Sequence, residues 1–218
     1  MKNTVIDNIF FDFNGTILDD LQLSYDILVE SCLDAKIKVP TIEEYKEVFM
    51  FPVKKYYEKV GFDFTVYPFE KIAKTFNDEY WKRWKKETFL FPSLIETLNK
   101  LKKEGYKLYI LTASEINLLL SQLNYFNITD YFDELIASKN NLAFGKIDYG
   151  KEYIKLNKID TSKSILFGDT VHDFEVAKEL NLKCLLFSKG HNSKEVLSKY
   201  ADVVDSYDEF YDYIKTVK

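Results

Sequence analysis

Short, continuous apolar runs rich in β-branched and aromatic residues alternate along this chain with longer amphipathic stretches. Asn8-Ile9-Phe10-Phe11 is the first run, and it breaks at Asp12-Phe13-Asn14-Gly15, where Asn-Gly signals a turn. Similar runs predict strands near residues 107–111, 134–137, 164–167, 184–187 and 201–204. Leu21, Leu23, Ile27, Leu28 and Leu33 recur at helical spacing and predict a helix over about 20–36. Thr41-Ile42-Glu43-Glu44 offers a capping box for a helix over 42–49. Pro52 opens a short helix that ends before Gly61, and Pro68 begins a longer one to about residue 87. Later helices are expected near 93–103, 114–125, 149–157, 173–180, 193–199 and 207–216.

From residue 93 on, strands and helices alternate, which means a mostly parallel sheet with helices on both faces. The expected fold is α/β, a Rossmann-like sheet core with an inserted α-helical block. Residues 1–19 and 88–218 form the core domain, and residues 20–87 form the insert, with hinges near 18–20 and 88–92. There are no repeats, low-complexity segments or Ser/Gly-rich linkers.

Composition narrows the function classes. Hydrophobic content of 46% and a charged fraction of 30% are ordinary for a globular protein. A net charge of −5 argues against nucleic-acid partners. Arg83 is the sole arginine, so cationic contacts to any anionic ligand fall to lysines. Cys32 and Cys184 are far apart in sequence and match no metal-ligand pattern, which suits a reducing cytoplasmic setting. No run reaches membrane-spanning length, and the first residues lack a signal-peptide layout. A monomer or homodimer with no nucleic acid or membrane partner fits these features.

Asp12 closes the first strand, where open α/β sheets place their ligands. A carboxylate there is paired, hydrogen-bonded or metal-bound; a helix N-cap is the plainer alternative. Leu108-Tyr109-Ile110-Leu111 ends in Thr112-Ala113-Ser114, Lys146 follows a glycine, and Ser164-Ile165-Leu166-Phe167-Gly168 ends in Asp169, with Asp173 four residues on. Strand-end Asp, strand-end Thr, loop Lys and strand-end Asp, in that order, resemble the haloacid dehalogenase superfamily, in its phosphoglycolate-phosphatase-like branch. The likeness spans nearly the whole chain.

That resemblance implies a magnesium-dependent phosphohydrolase that acts on a small phosphorylated metabolite and whose helical cap closes over the site. Asp12 would be the nucleophile that accepts the phosphoryl group. Mg²⁺ would be held by the Asp12 and Asp169 carboxylates and the Asn14 backbone carbonyl, with Asp173 one helical turn behind. N-capping is the plainer role for Asp169 and Asp173. Thr112 and the Ala113 N–H would bind phosphoryl oxygens at a strand-to-helix turn, with Ser114 as an alternative helix cap. Lys146 would neutralise both nucleophile and phosphate, although Lys139 and Lys151 lie close by and Ile147 replaces the family's usual proline.

Asn14 departs from the pattern. The family's phosphatases carry an aspartate there that protonates the leaving oxygen and then activates water. An amide cannot, and loss of such help costs roughly 10²–10⁴-fold; His172 is a candidate substitute. A second reading is cleavage of a carbon–phosphorus bond, as in phosphonoacetaldehyde hydrolases, with Lys54 forming a Schiff base. Met50 and Lys54 have a similar spacing, although Lys54 and Lys55 also suit the polar face of a short helix. A third reading is a phosphate-ligand-binding regulatory protein with little turnover.

Overall fold

Asn8–Phe11 forms strand β1, and every residue in it is buried. In the computed structural model, which describes residues 5–138 and 145–217, the chain continues through β2 (Leu18–Asp19) to α1 (Leu21–Asp34), α2 (Ile42–Val48), α3 (Val53–Val60) and α4 (Phe69–Glu87). It then runs through β3 (Phe89–Leu90), α5 (Leu94–Lys103), β4 (Lys107–Glu115), α6 (Ile116–Tyr125), β5 (Glu134–Ser138), α7 (Lys146–Asn157) and β6 (Ser164–Gly168). The last elements are α8 (Val171–Glu179), β7 (Lys183–Phe187), α9 (Lys194–Leu197), β8 (Asp202–Val204) and α10 (Tyr207–Thr216).

Six strands form one sheet in the order β5-β4-β1-β6-β7-β8, and every pairing in it is parallel. Parallel strands need both faces covered, which is why β1 is apolar throughout rather than alternating. Ile9 and Phe11 join a cluster with Leu98, Leu123 and Phe210, from α5, α6 and α10. Phe10 faces the other way, toward Val176, Ala177 and Leu180 of α8 and its end. β1 is central, so the residues that follow it emerge at the middle of the carboxyl edge.

The block between β2 and β3 is helical, as the periodicity predicts. Its own cluster gathers Leu28, Cys32, Tyr45, Tyr56 and Ile72. A smaller cluster, Leu23, Ile27, Tyr80 and Trp84, packs α1 and α4 toward Leu118 and Phe126 of α6 and its end. The two expected hinges pair with each other: Leu18 lies opposite Leu90 and Asp19 opposite Phe89, antiparallel. Segments this short carry no readable alternation, so sequence alone left that pair unseen.

Three local expectations change. β4 runs on to Glu115, past a register irregularity between Leu111 and Glu115. Glu115, not Ser114, then caps α6 by accepting the Leu118 N–H. Lys146 is not in a loop but opens α7, after Gly145. Lys139 lies outside the described residues.

Candidate active site

The turn after β1 sets the geometry. Asp12 donates its backbone N–H to the Phe167 carbonyl at 2.9 Å, which prolongs the pairing of β1 with β6 by one residue. The chain then reverses through Gly15, whose φ of +70° disfavours a side chain. Space forbids one too: a Cβ on Gly15 would lie 2.2 Å from Asp169 Oδ2, and so would one on Gly190. Two glycines from distant loops thus leave room for the Asp169 carboxylate. Asp169 accepts from Thr16 Oγ1 at 3.0 Å and from the His191 backbone N–H at 2.7 Å.

Lys146 joins the carboxylates. Its Nζ donates to Asp12 at 2.7 Å and to Asp173 at 2.5 Å, and its side chain is only 3% exposed. The other Asp173 oxygen accepts from the Thr170 N–H and hydroxyl. Asp173 is therefore both the acid of a capping box on α8 and the anchor of Lys146, while Thr170 is the N-cap. Neither Asp169 nor Asp173 is itself the N-cap.

Asp12, Asp169 and Asp173 can each bring an oxygen within 4.8 Å of the others. Three carboxylates against one ammonium leave two negative charges in a buried space. Burial raises the Asp12 pKa, Lys146 pulls it back, and Asp173 and Asp169 raise it again. Burial likewise pushes Asp169 up, against the pull of His191. Burial would raise Asp173, but Lys146 and then the Thr170 hydrogen bonds together hold it below the usual range. A hard divalent cation fits this all-oxygen donor set and its charge deficit. Asp12, Asp169 and the Asn14 carbonyl could hold it, while Asp173 pairs with Lys146 through one oxygen and accepts two Thr170 donors at the other.

Thr112 is buried, and its hydroxyl accepts the Ser114 N–H at 3.1 Å. Thr112, Ala113 and Ser114 all line one cavity of about 980 Å³ with Asp12, Asn14 and Lys146. Lys54 does not. It is exposed, with its Nζ 5.3 Å from the Phe64 ring centroid. Lys151 pairs with Glu179 on the surface. His172 lines the cavity but packs on the Phe51 ring and faces Glu175 at 3.2 Å.

Sequence reasoning missed the network around Asp20. Asn14 donates through Nδ2 to Asp20 at 2.7 Å and to the Tyr80 hydroxyl at 2.8 Å, and its oxygen accepts from Ser114 at 2.6 Å. Asp20 also accepts from the Gly15 N–H and from Tyr80, and it faces His191 Nε2 at 3.2 Å. His191 Nδ1 meets the Tyr45 hydroxyl at 2.7 Å. Burial would raise Asp20, but the His191 hydrogen bond, then Tyr80 and Asn14, hold it below the usual range. Burial would lower His191, yet Asp20 holds it above its ordinary value. The only sequence signal was Asp20 within the first motif.

A family model for haloacid dehalogenase-like hydrolases matches residues 9–187. The chain belongs to that family. It is 23% identical to a phosphoglycolate phosphatase of Psychrobacter arcticus, over 93% of this chain and 91% of the relative. It is 25% identical to a glyceraldehyde 3-phosphate phosphatase of Pyrococcus furiosus, over 95% of this chain and 88% of the relative. A haloacid dehalogenase-like protein from Streptococcus pneumoniae has the same fold, with a TM-score of 0.81 and 20% identity over 98% and 99% of the two chains. With these relatives, this haloacid dehalogenase-like chain is a hydrolase of the phosphatase kind. Among the described residues no helix is long and apolar enough to cross a membrane.

Proposed function

We propose that this hydrolase cleaves a small phosphomonoester through an aspartyl-phosphate on Asp12, with Mg²⁺ as cofactor, in the cytoplasm. The observation that carries this reading is Lys146, which bridges Asp12 and Asp173 beside Asp169 at the centre of the carboxyl edge. An Asp12 oxygen attacks phosphorus, the bond to the leaving oxygen breaks, and the departing alkoxide takes its proton from water; a further water then hydrolyses the acyl phosphate, releasing inorganic phosphate and restoring the Asp12 carboxylate. Lys146 offsets charge on the nucleophile and the phosphoryl oxygens. Thr112 accepts the Ser114 N–H within the irregular last part of β4, beside the Ala113 N–H that would meet a phosphoryl oxygen. Bound Mg²⁺ would offset phosphoryl charge that Lys146 alone leaves unmatched. Residues 20–87 serve as a cap that excludes water from the reaction.

Asn14 cannot exchange protons, and its polar atoms are all engaged. Asp20 is held ionised by four donors, which makes it a poor acid. Attack is therefore faster on phosphates with stable leaving anions, and the phosphoenzyme outlives its formation. Mass spectrometry after mixing with acetyl phosphate tests this: an added phosphoryl group on wild type, absent from Asp12→Asn, is expected. No adduct and no phosphate release in Mg²⁺ would refute it. The carbon–phosphorus reading lacks its amine, because among the described residues no cap lysine lines the cavity.

A further inference from the structure

The cavity above Asp12 has a wall whose chemistry is unlike its floor. One face of α4 supplies Phe69, Ala73, Phe76 and Tyr80, at spacings of four, three and four residues. Phe51 and Tyr56 come from the turn before α3 and from α3 itself. Among the described residues the only lysine or arginine lining the cavity is Lys146, and both its short contacts go to Asp12 and Asp173. The lysines of the cap face elsewhere, and Arg83 is tied to Glu30 and Glu87. The two histidines on the wall face carboxylates, His191 toward Asp20 and His172 toward Glu175. Asp20 and Glu115 add negative charge to the cavity lining.

Among the described residues, a second acidic group on a substrate would thus lie against aromatic rings and carboxylates, with no cation free of a carboxylate partner to receive it, and burying an unpaired charge is strongly unfavourable. A flat apolar group meets ring faces instead. The volume, about 980 Å³, is far larger than a two-carbon acid needs.

We propose that the substrate is the monophosphate ester of an uncharged, ring-bearing alcohol of up to nucleoside size, and not phosphoglycolate or pyrophosphate. The proposal rests on the phosphatase reading for the floor of the site but concerns the wall alone. The Asp12→Asn protein, which cannot form the phosphoenzyme, separates the two. Titrated calorimetrically in Mg²⁺, it should bind benzyl phosphate and adenosine 5′-monophosphate at least about tenfold more tightly than phosphoglycolate or pyrophosphate. Wild-type kcat/KM should follow the same order. Phosphoglycolate or pyrophosphate binding as tightly as both ring-bearing probes, or no binding of either ring-bearing probe at millimolar concentration, overturns the assignment. The binding preference without turnover of any ester upholds the assignment and defeats the catalytic reading instead.

Discussion

The Asn14 amide nitrogen lies 2.7 Å from the Asp20 carboxylate and donates to it. The pair explains why an amide occupies the position where the family's phosphatases carry an acid. An aspartate at 14 would set two carboxylates in contact, and two such groups cannot both ionise at that distance. Sequence alone suggested that Asn14→Asp would raise turnover; the neighbour changes that expectation.

Asn14→Asp alone should therefore melt lower than wild type and gain little activity. Adding Asp20→Asn restores one acid and one amide in exchanged places. The double variant should hydrolyse alkyl phosphates about 10²–10⁴-fold faster than wild type. Steady-state kinetics and thermal melts of all three proteins check this, with mass spectrometry to exclude deamidation at Asn14-Gly15. A single variant as fast as the double one would mean that Asp20 does not constrain position 14.

Lys146→Gln leaves Asp12 and Asp173 buried without their cation. Breaking such a pair costs about 3–5 kcal/mol. Denaturant titration of metal-free protein should show a loss of that order, and phosphatase activity should fall at least about a hundredfold. Stability equal to wild type would mean that the two carboxylates are neutral in the folded protein.

Mg²⁺ should raise the melting temperature of wild type, because a ligand that binds only the folded state stabilises it, by about 2.7 kcal/mol at a hundred times Kd. Asp169→Asn should abolish that shift while keeping the fold, and a chelator should remove wild-type activity. A full Mg²⁺ shift in Asp169→Asn would place the ion elsewhere.

The His191–Asp20 pair makes stability depend on pH. His191 is held above its ordinary 6.5, so its contribution is complete below that value and fades as pH rises through the folded-state pKa. Asp20 is held below 3.8, so its contribution is present above that value and is lost as pH falls through the folded-state pKa. In chelator, the melting-temperature gap between wild type and His191→Gln should be wider near about pH 5.5 than near about pH 9. A difference of about 2–4 °C is expected. A gap that widens toward alkaline pH would show that His191 is buried neutral.

Much of this protein was written in local pattern. Runs such as Phe10-Phe11 and Leu166-Phe167 bury both sheet faces, so their strands were legible without neighbours. The α1 stripe and the Thr41 capping box depend on residues three or four apart, and they marked α1 and α2 to within a residue or two. Asp12 and Asp169 follow strand ends and Thr112 lies in the irregular last part of β4, so parallel pairing alone brings them to one edge. The tertiary structure decided the rest. Asp20 meets Tyr80 across 60 residues and His191 across 171, where no periodicity reaches. Nothing marked Tyr80 or Tyr45 among 16 tyrosines. Lys54 sat at a suggestive spacing, yet it lies over Phe64, outside the cavity. Hydrophobic pattern is local and sets elements; hydrogen bonds and charge pairs between distant residues exist only once packing excludes water from them.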